Sequence, residues 1–206
     1  MKSKTYFLIF SVTVAASCSH VSDAIKPLQP EEPGICNYAS GLEDRRYYSE
    51  NENNFVIEGD SIESLRQAMG VVMPVGYTGD FASTRWTVNW EFDWRAASSG
   101  CRVTSAVATA EISYQFPVWP QQITSANKGL IDQWNRYTQN LRARHCGYGE
   151  FGIQAAIEVE QALTTMAPRK SCQQVEMDAN ELARVIVERY ETRERKFRQQ
   201  TPAKPL

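Results

Sequence analysis

The residues best suited to chemistry lie in one short stretch, LRARHCGYGEFGIQAA, from Leu141 to Ala156. It carries His145, one of two histidines in the chain, with Cys146 beside it and Gly147, Gly149 and Gly152 close behind. A thiol nucleophile with an imidazole base would pair Cys146 with His145. Successive residues on a helix point about 100° apart, which keeps the two from forming a nucleophile–base hydrogen bond. Cys146 therefore reads as disulfide-bonded or inert. A hydrolytic zinc site takes three protein ligands and a carboxylate base, and two ligands four residues apart on a helix reach one ion. Four residues after His145 stands Gly149, which has no side chain. The other histidine, His20, lies near the start of the chain, so a three-histidine site is impossible. A one-histidine site completed by Glu150, Glu158 or Glu160 is conceivable, although the spacing does not favour it.

The compartment decides how the cysteines are read. Lys2 and Lys4 precede an apolar run, YFLIFSVTVAA, too short to span a membrane, so residues 1–17 read as a secretory leader. The run ends in AASC, which resembles a lipobox and makes Cys18 the candidate lipidated residue. Ser19 after it points to the outer membrane. The expectation is an exported lipoprotein of a bacterial envelope, facing the periplasm and tethered to the membrane through its lipid. In an oxidising compartment Cys36, Cys101, Cys146 and Cys172 form two disulfides by default, with three pairings open. A net charge of -2 gives no reason to expect a nucleic-acid partner, and the late run RYETRERKFRQQ is mixed in sign.

The elements that must position these residues are legible in part. Residues 18–53 read as a proline-bearing tether followed by an irregular polar stretch, CNYASGLEDRRYYSENEN. NFVIEG is a short strand, and DSIESLRQAMG a helix with Asp60 and Glu63 at capping-box spacing and Gly70 as its stop. STRWTVNWEFDW alternates, with Trp86, Val88, Trp90, Phe92 and Trp94 on one face and Arg85, Thr87, Asn89, Glu91 and Asp93 on the other. That stripe reads as a core face, the alternative being a platform of exposed aromatics for glycans. AASSG joins it as a hairpin to CRVTSAVATAEISYQFPVW, whose apolar phase slips near Ala108 and predicts a bulge there. From Ser125 the period becomes helical: Leu130, Trp134, Tyr137 and Leu141, then Ala155, Ala156, Val159, Leu163 and Met166 up to Pro168. Asp178 and Glu181 offer a capping box to a last helix through Leu182, Ile186, Tyr190 and Phe197. The class is α+β, a small antiparallel sheet with a long hairpin packed on two or three helices.

Taken together, these segments resemble the bacterial domain-of-unknown-function family 922 (DUF922), whose members are predicted secreted zinc-dependent peptidases. FVIEGDSIESLRQAM, ASTRWTVNWEF, GCRV, FPVW, SCQQV, the pair Ala179–Asn180 and FRQQT carry the likeness, over residues 54–201, with 202–206 left as a tail. The resemblance implies a zincin-like peptidase arrangement and places HCGYG on that family's H-E-x-x-H helix. His145 keeps the first ligand, Cys146 replaces the glutamate, Gly149 replaces the second histidine, and Ala203 stands where a further histidine is expected. It also puts Cys101 and Cys172 in recurrent cysteine segments, which implies their pairing and leaves Cys36 with Cys146. The glycines suggest a break or close packing, and a helix shorter than in the family. The function expected is a non-catalytic binding or structural subunit of an envelope assembly, with no cofactor and a vestigial His145. The alternatives are a zinc peptidase with an atypical site around His145, and a cell-wall or glycan binder.

Overall fold

Strict alternation of large apolar and polar side chains builds the longest element of the sheet, a hairpin of β3 (Ser83–Ala97) and β4 (Gly100–Gln115). The computed structural model describes residues 35–39, 41–42, 44–72, 81–98, 100–120, 128–201 and 206. The leader, Cys18, most of the tether, the helix start near Ser125 and Ala203 lie outside the described residues. The hairpin ladder runs in register from Ser83↔Gln115 to Ala97↔Gly100 with one irregularity. That irregularity is not at Ala108, which pairs regularly with Trp90. It lies where Asp93 faces Ser105 and Trp94 faces Val103, so Thr104 is the extra residue. That extra residue is what shifts the apolar phase: Cys101 and Val103 face the core before it, and Ala108, Ala110, Ile112 and Tyr114 after it.

Within the stretch 36–53, read as irregular, residues 45–52 form regular structure. Arg45–Tyr47 form a 3-10 turn, and β1 (Tyr48–Glu52) pairs in parallel with β4 from Tyr48↔Ala110 to Glu52↔Tyr114. The sheet is thus mixed, in order β1-β4-β3. The next strand, β2 (Phe55–Val56), pairs in parallel with β5 (Pro117–Val118). The amides of Asn53, Phe55 and Ile57 donate to the carbonyls of Tyr114, Phe116 and Val118 at 2.8, 3.0 and 2.9 Å, which makes the two ladders one continuous run.

Three α-helices are present among the described residues. α1 (Ile62–Val72) buries Leu65 and Met69. Its cap is Ser61 with Ser64, not Asp60 with Glu63. Ser64 N donates to Ser61 Oγ at 3.2 Å and Ser61 N to Ser64 Oγ at 3.0 Å. Gly70 lies inside the helix rather than ending it. α3 (Cys172–Gln200) starts earlier than the sequence suggests, because Ser171 caps it by accepting from Gln174 N at 3.2 Å. Asp178 sits within the helix and binds Arg169 and Gln174 instead.

α2 (Lys128–Thr164) is one unbroken helix of 37 residues. Its buried face begins with bulky Leu130, Trp134, Tyr137 and Leu141. It continues through His145 and Gly149 to small Gly152, Ala155 and Ala156. This face lies on β4 and β3, and α3 packs against α2. The tryptophan stripe of β3 faces the helices and is half-buried, with indole N–H groups of Trp86 and Trp90 donating to Glu194 (2.9 Å) and Asn180 (3.0 Å).

Candidate functional site

The face of α2 that carries His145 is filled by side chains from the sheet. An added Cβ at Gly149 would lie 2.1 Å from the Tyr114 hydroxyl oxygen and 3.3 Å from Ile112 Cγ2. At Gly152 a Cβ would meet the Trp86 side chain at 3.0 Å. Each helix glycine costs about 1 kcal/mol relative to alanine. The return is direct contact between the helix backbone and two large aromatic residues of β4 and β3. Close packing, and no break, is what Gly149 and Gly152 provide, whereas a Cβ at Gly147 would meet only Phe197 at 3.8 Å, an ordinary contact.

His145 is fully buried. Its Nδ1 lies 2.7 Å from Thr84 Oγ1, at the start of β3, and the Thr84 hydroxyl also donates to the His145 carbonyl at 3.3 Å. The ring meets Phe116 and Tyr148 edge-on, with centroids 5.8 and 5.0 Å away. Burial, with Arg198 and Arg144 nearby adding to it, lowers the imidazole pKa to about 3. His145 is therefore neutral at physiological pH. Arg198 reaches in from α3: its guanidinium carbon stands 3.8 Å from the Tyr148 ring centroid, and it donates to the Thr84 carbonyl at 3.2 Å and to Glu194 at 2.7 Å.

The N-terminal segment crosses the same helix. Cys36 is disulfide-bonded to Cys146 and Cys101 to Cys172, the two disulfides among the described residues and the pairs that the family resemblance implied. Next to the first of them, Tyr38 donates to Glu50 and lies 2.7 Å, hydroxyl to hydroxyl, from Tyr114. The Glu50 side chain is only 2% exposed, and Ile35 N donates to its other oxygen at 3.2 Å. Burial pushes both phenols well above their usual range. Tyr114 thus fills the space at Gly149 and is held there by the segment that the disulfide attaches to position 146. Arg142 adds a second tie, donating to both oxygens of Glu52 at 2.7 and 2.9 Å and lying over the Phe116 ring.

The carboxylates weighed as partners for His145 are engaged elsewhere. Glu150 accepts from Ala39 N at 3.3 Å. Glu158 binds Arg189 and Tyr190 of α3. Glu160 binds Arg46 at 3.1 Å and Tyr47 at 3.2 Å. Among the described residues no three His, Cys, Asp or Glu side chains are grouped as metal ligands. A zinc ion does not fit what is present. The thiolate at 146 is consumed in a disulfide, the side-chain space at position 149 is occupied by the Tyr114 phenol, and the imidazole is enclosed by two rings and Thr84.

The family model described as bacterial protein of unknown function (DUF922) matches residues 52–203, and the chain belongs to that family. No curated protein and no solved structure matches the chain.

Several residues of the site carry no sequence signal of their own. Thr84 precedes the tryptophan stripe and shares its parity, which is a hint. Tyr38, Glu50 and Tyr114 come from segments up to 76 positions apart. Nothing local announces that they meet.

Proposed function

We propose that the chain is a non-catalytic, peptidase-like lipoprotein of the bacterial cell envelope that acts as a binding or structural subunit. The observation that carries this reading is the Tyr114 hydroxyl, 2.1 Å from where a side chain at position 149 would begin. A second helix ligand would need that space. The glutamate position of the motif is Cys146, closed in a disulfide, so a water-activating base is missing from it as well. What remains is a rigid body whose surface, rather than a cleft, does the work. Its partner is then another component of the envelope, reached while the lipid on Cys18 holds the body to the outer membrane on its periplasmic side.

Two experiments test this. Purified protein incubated with excess zinc and a peptide library is expected to give no cleavage. Cleavage that a chelator abolishes and that His145→Ala removes would overturn the reading. Cys18→Ala is expected to move the protein from the membrane fraction to the soluble one. Unchanged membrane association would remove the lipoprotein part of the proposal.

A further inference from the structure

β3 is an edge strand, and its outer edge is long and regular. It spans 15 residues, carries no proline or glycine, and the bulge of the hairpin falls on β4 rather than on it. Natural edges of this length are blunted by proline, bulges or a covering element. The direction of its backbone groups follows from the ladder. Tyr114 turns its carbonyl to Asn53, away from β3, so its partner Thr84 turns its own groups outward. Arg198 takes the Thr84 carbonyl from outside, as that geometry requires. Trp86, Val88, Trp90 and Phe92 share the phase of Thr84. Among the described residues no backbone hydrogen bond besides the β4 ladder reaches them.

We infer that this edge pairs with β3 of a second copy of the chain, antiparallel about a two-fold axis through Asn89. The side chains select that register. On the open face of the sheet Arg85, Thr87, Asn89, Glu91 and Asp93 are all exposed. Centring on Asn89 sets Arg85 against Asp93 of the partner copy and Asp93 against its Arg85. Thr87 meets Glu91, and Asn89 meets itself. Shifting the axis to Trp90 would oppose Arg85 and Arg95, a like-charge pair. On the helix face the same register sets Trp86 against Phe92 and Val88 against Trp90, extending an apolar layer that is half-buried at the edge. Outward backbone groups at 86, 88, 90 and 92 then bond across the axis, and Arg198 at Thr84 marks the limit of the pairing. The inference does not depend on whether the chain is catalytic.

A charge-swap series on the purified full chain tests it by sedimentation. The wild type is expected to dimerise. Arg85→Asp alone and Asp93→Arg alone each place like charges opposite one another twice per dimer and should weaken dimerisation by about tenfold or more. The double reversal R85D/D93R should restore it. Asn89 is a non-hydrogen-bonded position across the axis, where Cα atoms approach to about 4.5 Å, within disulfide reach. Asn89→Cys should therefore form a covalent dimer on oxidation, and Thr87→Cys should not. A monomer at about 100 µM, well above the Kd of a stable interface, would overturn the inference. A dimer indifferent to both single reversals would do so equally, by placing the contact elsewhere.

Discussion

Gly149→His is expected to destabilise the fold by about 2–5 kcal/mol, and not to rebuild a ligand pair with His145. The new Cβ would stand 2.1 Å from the Tyr114 hydroxyl, inside a core where Tyr114 is 1% exposed. Overpacking of this kind costs about 1–3 kcal/mol. Displacing the phenol also breaks its contact with Tyr38 and leaves buried polar groups without that partner, a further 1–3 kcal/mol or so. Against this the helix gains only about 0.4 kcal/mol, because histidine is itself a weak helix former. The cause can be isolated with a smaller change. Gly149→Ala should destabilise the wild type and be better tolerated in a Tyr114→Phe background, where the oxygen it strikes is gone. Urea unfolding of the four proteins measures the coupling. Gly149→His with wild-type stability would show that the space at 149 is open.

Acid should unfold this protein through His145. Its pKa in the folded state is about 3, against an ordinary value of 6.5, because the buried ring resists charging. The unfolded chain binds the proton first as pH falls. The contribution of the neutral ring is thus complete above 6.5, shrinks through the window from 6.5 to 3, and is lost below it. Across the whole window the shift amounts to about 5 kcal/mol, of which about 2 kcal/mol is spent between pH 6.5 and 5. Carboxylates do not titrate appreciably in that upper part. His145→Leu should flatten the stability profile between pH 6.5 and 5. The Thr84 hydroxyl keeps its bond to the carbonyl of residue 145 in that variant, so the fold should survive. An unaltered slope in His145→Leu would place the acid sensitivity elsewhere.

The contrast between what the sequence displays and what it hides has a physical basis. The tryptophan strand and the face of α2 were legible because period-2 and period-3.6 patterns need no knowledge of a distant partner. β1 was not, because YSENE buries its polar Glu50 through a bond to Tyr38 instead of alternating apolar side chains. Its partner strand also lies about sixty residues further on, in a parallel ladder that no turn signals. The helix starts were misplaced for a smaller reason. Asp60 and Asp178 have the spacing of capping residues, yet Ser61 and Ser171 do the capping, and spacing alone does not choose between neighbouring oxygens. The degenerate motif was visible residue by residue, whereas its replacement was not. That Tyr114 enters the space opposite Gly149, held by a segment disulfide-bonded to Cys146, depends on three chain segments meeting.

The most direct test of the central claim is the zinc content of the purified chain after dialysis against zinc and then buffer, measured by elemental analysis beside His145→Ala. Far less than one zinc per chain is expected, with no difference between the two proteins. About one zinc per chain, lost in His145→Ala, would contradict it, because a stoichiometric site needs ligands that the packing around Gly149 and the disulfide at Cys146 exclude.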